Sequence, residues 1–468
     1  MTATGRANRI AAGGEHTNGA GQAAQSAVAR ALEIVGERAP SAEAEAYAQV
    51  GSSALTRFAN STINQNVAEE TSHLGLRVSL DGRVAGARLD GPIDDEALTR
   101  LVDGVLEGAR LRPTDPDWPG LAPIAPAPDV DHWDDATADA PAAERARRVA
   151  DFVSAADGLE TAGFCSTYRE VVAFANSAGQ SLVGRSTMAT LDGIARTATS
   201  DGSGRASSVS VEDLDGLAIG EVATRKARDG QNPTDLDPGR YEVILEPRSV
   251  ADVLQFLFVH GLNGLAVAEG RSFARVGETQ LDTSVTIVDD VTDPATTGVP
   301  FDVEGTPRRR LDLVVGGQTR ALLHTRRTAK QIGGGAQSTG AALEDAVSWG
   351  ALPANPGLLA GDRSIDELIE RVERGVLVTD FWYTRVLDPR TLVVTGLTRN
   401  GVWLIEDGRI ARPITNLRFT QSYADALGPG LVRGIGSDRA LTPAGFGGVY
   451  LVPAVHLGSW NFTGGARG

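Results

Sequence analysis

The spacing of apolar residues changes several times along the chain, between the three-to-four-residue period of helices and the alternation of strands. In residues 22–38 and 94–110 the apolar positions follow the helical period, which predicts two amphipathic helices. Four runs between them are rich in strand-forming residues and predict strands, at residues 44–53, 61–69, 71–80 and 83–87. Asp81-Gly82 joins the last two runs, and both residues tolerate positive φ, which predicts a hairpin turn there.

Composition divides the chain into candidate domains. Residues 1–22 are rich in Gly, Ala, Thr and Asn without periodicity, which predicts a disordered lead-in. Prolines crowd the stretch after the second helix, which predicts a linker at residues 112–135. The other predicted units are an N-terminal α+β domain at 23–111, a middle α+β domain at 136–235 and a C-terminal domain at 240–468.

The C-terminal unit begins with a strand and a long helix, predicted over residues 249–269 with Ser249 and Asp252 available to cap its start. Ser364-Ile-Asp-Glu367 is a capping box, and Glu406-Asp-Gly408 joins two strand-like runs as a hairpin. Because hairpin-connected strands replace βαβ alternation, the predicted fold class is α+β. We expect N-terminal α/β units followed by a larger C-terminal domain of bent antiparallel sheet with helices.

The charge and cysteine content exclude several classes of function. A formal net charge of −16 argues against binding to nucleic acids or anionic membranes, because both interactions require clustered Lys and Arg. The single cysteine, Cys165, rules out an internal disulfide and a thiolate-rich zinc site. The sequence has neither a secretory apolar region nor a run of about 18 apolar residues, so a cytoplasmic protein is expected.

Local motifs for catalysis are missing from the sequence. No two of the six histidines have the spacing of a helical metal pair, and there is no nucleophile elbow, P-loop or dinucleotide fingerprint. The one dense basic cluster places Arg308, Arg309 and Arg326 as candidates for a substrate cleft that would hold a peptide carboxylate. Ion pairing with the many acidic side chains is the more typical role of such a cluster.

Several stretches resemble the TldD/PmbA family in their order and spacing. In the last unit they are Val299-Pro-Phe-Asp-Val-Glu-Gly-Thr-Pro-Arg308, Gly375-Val-Leu-Val-Thr-Asp380, Gly401-Val-Trp-Leu-Ile-Glu-Asp-Gly408 and Pro413-Ile-Thr-Asn-Leu417. In the first unit they are Leu55-Thr-Arg-Phe-Ala-Asn60 and Leu74-Gly-Leu-Arg-Val78. Active members resemble metallopeptidases with an HExxxH motif, in which two histidines and a distant cysteine hold zinc and a glutamate acts as base.

The stretch equivalent to that motif is Leu254-Gln-Phe-Leu-Phe-Val-His-Gly-Leu-Asn-Gly264. The resemblance puts Gln255 at the first ligand position, Phe256 at the base position and His260 at the second ligand position. Glutamine is a poor zinc ligand and phenylalanine cannot accept a proton, so water would be neither bound nor deprotonated. We therefore expect no catalytic residue, metal or other cofactor in this chain, and a hydrogen-bonded structural role for His260.

The resemblance implies a TldE-like, non-catalytic subunit that pairs with a TldD-like chain carrying the HExxxH motif and the zinc. Such a heterodimer would process unstructured peptides, in proteolysis, leader-peptide removal or natural-product maturation. This chain would contribute strand edges that bind an extended peptide. Two alternatives stay open: a stand-alone hydrolase that needs no metal, and a scaffold that binds peptide without cleaving it.

Overall fold

The computed structural model describes residues 3–344, 346–445 and 448–465, and over these it is an α+β protein, as predicted. The helices are α1 (Ala3–Arg38), α2 (Asp95–Leu111), α3 (Asp135–Ala138), α4 (Ala142–Ala155), α5 (Gly216–Asp229), α6 (Pro247–Phe256), α7 (Gly264–Ala268), α8 (Arg326–Ile332), α9 (Ala346–Trp349), α10 (Ile365–Ile369) and α11 (Tyr423–Ala426). The first strands are β1 (Glu43–Ala59), β2 (Thr62–Leu80), β3 (Arg83–Asp90), β4 (Glu160–Asn176), β5 (Ser181–Arg196), β6 (Asp201–Ser208), β7 (Gly239–Leu245), β8 (Ile287–Asp289), β9 (Leu311–Val315) and β10 (Gln318–Thr319). The later strands are β11 (Pro356–Leu358), β12 (Arg374–Asp388), β13 (Val393–Glu406), β14 (Arg409–Pro413), β15 (Leu417–Ser422), β16 (Val432–Ile435), β17 (Ala440–Pro443), β18 (Val449–Val452) and β19 (Val455–Gly465).

The first six strands form one antiparallel sheet in the order β3-β2-β1-β4-β5-β6. Its central contact is between β1 and β4, where Glu45 lies opposite Asn176. The separation predicted between residues 23–111 and 136–235 therefore needs correction, because the two units share this sheet. Pairing between strands so far apart in the chain leaves no local pattern in the sequence.

Two helices from each half of this sheet pack against it. Helix α1 packs on β1 and β4, α2 on β2 and β3, α4 on β1 and β4, and α5 on β5 and β6. Helix α1 begins at Ala3, inside the segment predicted as a disordered lead-in. From residue 19 onward, where the structure describes its side chains, the first buried residue is Ala24. Residues 1 and 2 of the predicted lead-in lie outside the described residues.

The Pro-rich segment has no helix or strand up to residue 131, as its composition predicts, but it is fixed in place by side chains on either side. Asn176 Nδ2 donates to the carbonyl of Ala122 at 2.8 Å, and Arg326 Nη2 donates to the carbonyl of Leu121 at 2.6 Å. The segment therefore connects the first sheet to the C-terminal region through hydrogen bonds. None of the helices in the described ranges combines the length and apolarity needed to cross a bilayer.

The sheet of the C-terminal region closes into a barrel. Strands β12, β7, β19, β15 and β13 pair in that order, and β13 pairs again with β12, while β14 and β16 extend the wall. Within this bent and mostly antiparallel sheet, one neighbouring pair, β7 and β12, is parallel. The interior is packed with aromatic rings: Phe381 lies 4.6 Å from Phe419 and 5.1 Å from Trp460 between ring centroids.

A second C-terminal sheet has the order β10-β9-β8-β11-β18-β17 and lies next to the barrel region. Its strands are short, and β11 pairs in parallel with β18 while the other neighbours are antiparallel. Helix α6 packs against β17 and β18 of this sheet as well as against β12 of the barrel. This helix, which contains Gln255 and Phe256 of the degenerate motif, is therefore held between the two sheets.

A buried ion pair joins the first sheet to the barrel. Arg205 on β6 donates through both terminal nitrogens to the carboxylate of Asp380 on β12, with Nη2 3.0 Å from Oδ2. Asn400 Nδ2 also donates to Asp380, at 2.6 Å. Burial alone would raise the pKa of Asp380, but Arg205 and Asn400 lower it to about 2. The carboxylate is therefore ionised and paired at neutral pH.

We expect Asp380→Ala to lower the free energy of unfolding by about 3 kcal/mol, because it breaks a buried ion pair and leaves Arg205 with Asp192, 3.2 Å away, as its only carboxylate partner among the described residues. Asp201→Ala is the matched control, since Asp201 pairs with Arg196 on an exposed part of the same sheet. Exposed pairs contribute roughly 0–1 kcal/mol. Urea unfolding followed by circular dichroism tests the difference, and equal midpoints for the two variants would contradict the anchoring role.

Candidate functional site

The helix predicted over residues 249–269 is interrupted in the structure. Helix α6 ends at Phe256, a π-helical turn spans Leu257–Gly261, and α7 begins after Asn263. The amide of Leu262 donates to the carbonyl of Leu257 at 2.7 Å, which is the spacing of a π-turn. Asn263 then caps α7 by accepting from the Leu265 amide. The three positions of the degenerate motif thus lie on two differently wound turns.

The start of α6 also differs from the prediction. Pro247 occupies the first turn, and Glu246 precedes it without a side-chain capping bond. Ser249 does not cap the helix but donates its hydroxyl to the carbonyl of Thr379 on β12, at 3.0 Å. Asp252 also faces inward rather than capping. Tertiary hydrogen bonds have replaced the local ones that the sequence suggested.

Asp252 is the centre of a buried hydrogen-bond network. Its carboxylate accepts from Gln255 Nε2 at 2.9 Å, from Thr384 Oγ1 at 2.9 Å and from the Tyr423 hydroxyl at 3.0 Å. Burial raises the pKa of Asp252 to about 6, although the three donors act in the opposite direction. The network joins α6 to β12 and α11. No local pattern in the sequence points to Thr384 or Tyr423 as members of it.

Gln255 and Phe256 are both fully packed. Gln255 is 1% exposed and its amide nitrogen is committed to Asp252. Phe256 is 0% exposed, with its ring edge-on to Tyr423 at 5.7 Å and stacked with His260 at 6.0 Å. At the ligand and base positions the chain therefore has a hydrogen-bonded amide and an apolar ring.

His260 differs from the hydrogen-bonded histidine that the sequence analysis expected. Its Nδ1 is buried and has no hydrogen-bond partner among the described residues. Burial, with a smaller contribution from Arg271, lowers the pKa of His260, so the ring is neutral near pH 7. Stacking on Phe256 is the contact that orients it. The expected hydrogen bond does not form, because the ring in the π-turn lies against the apolar ring of Phe256.

The residues at this site do not fit the zinc ion that the family resemblance implies. Within the described part of the chain, no three His, Cys, Asp or Glu side chains come close enough to hold a metal ion. Cys165 lies on β4 in the first sheet, where burial raises the pKa of its thiol to about 12. A thiol with so high a pKa is not a ready metal ligand or nucleophile. The donor set for metal-assisted hydrolysis is therefore incomplete here.

The three candidate cleft arginines have separate environments. Arg308 donates to the carbonyls of Gly340 and Val299, both at 2.8 Å, and so fixes two loops. Arg326 donates to carbonyls of the Pro-rich segment. Arg309 is exposed, and it shares an open cleft with Arg326. The structure thus brings two of the three together, away from the Asp252 network.

The pKa of Asp252 gives a pH-dependent prediction. Because it is about 6 in the folded protein and near 3.8 in a free carboxyl, the folded state holds the proton more tightly. Stability should therefore fall as pH rises from about 4 to about 6, and Asp252→Asn should remove this loss, worth on the order of 3 kcal/mol. Urea unfolding of both proteins from pH 4 to 8 measures it. If the free energies of unfolding of the two proteins change in parallel between pH 4 and 6, the raised pKa of Asp252 is contradicted. Above pH 7 the two curves should run parallel.

Comparison with known proteins agrees with this architecture. The family models of the PmbA/TldA metallopeptidase domain 1 and C-terminal domain match residues 44–109 and 238–464. A metalloprotease of Methanothermobacter thermautotrophicus is 27% identical over 237 residues, which cover 49% of each chain. A metalloprotease of Archaeoglobus fulgidus is 36% identical over 118 residues, 25% of this chain and 26% of the relative. The chain thus spans about half of the first relative's length and about a quarter of the second's.

The fold is also that of a solved structure. TldE from Thermococcus kodakarensis superimposes with a TM-score of 0.81 at 18% identity, over 90% of this chain and 97% of that chain. At this identity the likeness establishes the fold alone. The family membership rests on the two matched domain models, which lie on the first sheet and on the barrel region. The chain belongs to the PmbA/TldD metallopeptidase family.

Proposed function

We propose that this chain is the TldE-like, non-catalytic subunit of a two-chain zinc metallopeptidase that processes unstructured peptides in the cytoplasm. The observation that carries the proposal is the buried helix α6, where Gln255 and Phe256 occupy the ligand and base positions of the family's zinc motif. The chain has the fold of the family, but the packed side chains at these two positions neither bind zinc nor accept a proton. Its role is then to complete the site of a TldD-like partner that supplies zinc and the glutamate base.

The packing around α6 supports a structural role for the helix. Asp252 requires Gln255 as one of its donors, and Phe256 fills the space between Tyr423 and His260. A charged side chain at position 256 would be buried in an apolar environment, at a cost of several kcal/mol. The helix is therefore specialised for stability, and peptide cleavage would depend on the other subunit.

An exposed aromatic patch on the outer wall of the barrel is a suitable contact surface for that partner. We define the outer patch as Trp382, Tyr383, Arg385, Leu387 and Arg399. Trp382, Tyr383 and Leu387 are 46%, 64% and 59% exposed. Trp, Tyr and Arg are the residue types that contribute most to binding at protein interfaces.

The backbone of the outer patch supports the same role. Tyr383 has φ 53°, a conformation that is strained for an aromatic residue, and a bulge between Trp382 and Arg385 shifts the register with β13. The bulge leaves both aromatic rings outside while Thr384 turns inward to Asp252. Arg399 stacks on Trp382, with its guanidinium carbon 4.4 Å from the ring centroid. Strain of this kind is often retained at functional surfaces.

Zinc content provides the first test. The double variant Gln255→His, Phe256→Glu should still contain no stoichiometric zinc by elemental analysis, because the third ligand is missing. It should also lose about 3–5 kcal/mol of stability through the lost Phe256 packing and a buried carboxylate. Phe256→Leu is the control, which keeps an apolar side chain and should cost less. A double variant that binds one zinc and cleaves peptides would show that a metal site can be completed here.

Partnership provides the second test. Co-expression with an HExxxH-containing homologue should give a one-to-one complex by size-exclusion chromatography, with peptide cleavage only when both chains are present. Cleavage should disappear with a chelator or when the partner's base glutamate is replaced, and it should tolerate His260→Ala. Trp382→Ala should weaken the complex by roughly tenfold or more, as truncation of an interface anchor does.

The control for the outer patch is Leu217→Ala, which removes a 49% exposed apolar side chain on α5 and should leave the affinity unchanged. Both variants should unfold like the parent protein. If neither a complex nor additional cleavage results from mixing the two chains, the subunit proposal fails. Cleavage by this chain alone, unaffected by chelator, would favour the independent hydrolase, and peptide binding without cleavage would favour the scaffold.

A further inference from the structure

An open cleft of about 720 Å³ lies between the Pro-rich segment, the loop around Pro307 and helix α8, away from the Asp252 network. Its volume is within the range of small-molecule and peptide sites, about 300–1,000 Å³. The cationic side chains that line it are Arg309, Arg310, Arg326 and Lys330, and no Asp or Glu is among the lining residues. In a protein of net charge −16, a cleft with only cationic charge at its surface is unexpected and points to an anionic ligand.

Three of these cations have no carboxylate within ion-pair distance in the part of the chain that the structure describes. Lys330 Nζ donates to the carbonyl of Trp118 at 2.8 Å, and Arg326 donates to the carbonyls of Gly120 and Leu121. These bonds hold the Pro-rich wall in place without neutralising either charge. Arg309 is exposed, and no hydrogen-bond or ion-pair partner is found for it among the described residues.

The carboxylates that contact residues around the cleft are already paired. Arg310 contacts Asp290 and Asp312, and Arg327 binds Asp115 through two bonds, of 2.6 and 3.2 Å. Glu304 accepts from the backbone amide of Arg326 at 2.9 Å and pairs with Arg77 at 3.1 Å. A ligand would therefore meet positive charge that the protein itself leaves uncompensated. Arginine is suited to this, because its planar guanidinium binds a carboxylate through two parallel hydrogen bonds.

Other groups in the cleft favour a peptide over a small inorganic anion. Pro119, Pro123 and Leu311 provide apolar surface that a phosphate ion would not use. Gln337 is exposed and lines the same cleft, so its amide is available to a polar group of a ligand. The cleft thus offers separate positions for charged, polar and apolar parts of one ligand.

We propose that this cleft binds the carboxylates of an acidic, extended peptide, with Arg309 as the principal contact and Lys330 and Arg326 on the opposite wall. The inference rests on the proposed role in peptide processing and adds a substrate class to it. It also assigns different roles to the three predicted cleft arginines. Arg309 and Arg326 line the site, whereas Arg308 supports it by fixing the loops of Val299 and Gly340.

The test uses the purified full chain without a partner and three probes: acetylated hexaglutamate, acetylated hexaglutamine and inorganic phosphate. Calorimetry should detect hexaglutamate only, with binding that weakens as salt increases. Arg309→Ala should weaken it roughly tenfold, the effect expected from losing one charge-assisted contact. Arg409→Ala removes an equally exposed arginine on β14, outside the cleft, and should change nothing.

Lysine chemistry gives a second measurement, because Lys226 and Lys330 are the only lysines in the chain. Hexaglutamate should protect Lys330 from acylation, measured by mass spectrometry, while Lys226, which is paired with Glu246, serves as the internal reference. The proposal would be overturned if hexaglutamine bound as tightly as hexaglutamate, or if phosphate bound more tightly. It would also be overturned if Arg309→Ala left the affinity for hexaglutamate unchanged. Because binding is measured without cleavage, failure here would leave the subunit proposal intact, and failure of the complex would leave this site intact.

Discussion

Closure of the barrel is the constraint on which the C-terminal region depends. Once β13 pairs with both β15 and β12, the ring of strands is closed, and its side chains face either the interior or the outside. The interior is filled by Phe381, Phe419 and Trp460. Among the three register shifts between β12 and β13, the one at Tyr383 lets Thr384 reach Asp252 while two aromatic rings stay outside. The contact of β12 with the Asp252 network and the exposure of the outer patch thus follow from the same bulge.

Much of the local structure was predictable because it depends on short-range patterns. The turn at Asp81-Gly82, the capping box at Ser364 and the hairpin turn at Asp407-Gly408 occur where turn and capping residues placed them. The pairing of β1 with β4 and of β7 with β19 was not predictable, since each pair joins segments that lie far apart in the chain. Strand β6 and helix α5 were also missed. The sequence of β6 is rich in Gly and Ser, and Gly202 and Gly204 lie directly against the backbone of α5, where no Cβ would fit.

In the candidate site, too, the features set by local sequence were predictable and those set by distant contacts were not. The positions of Gln255, Phe256 and His260 on one helical segment follow from the sequence, because the surrounding residues match the family motif. Asp252 was seen only as a capping residue, since its real partners, Thr384 and Tyr423, are more than a hundred residues away. The arginine cluster could be identified from the sequence as an excess of positive charge. Only the three-dimensional structure shows that Arg308 fixes two loops whereas Arg309 faces a cleft.

The central position of β1 and the two neighbours of β7 also govern the order in which this protein can assemble during synthesis. Strand β1 has β2 available at once, but its other edge stays open until β4 has left the ribosome. In the barrel, β7 gains a parallel neighbour from β12 yet waits for β19 before the ring can close. Such long-range pairings make folding slow and leave strand edges exposed in the meantime. The nascent chain is therefore a natural client for chaperones, and a fragment cut between α2 and α4 would carry half a sheet with an unprotected central strand.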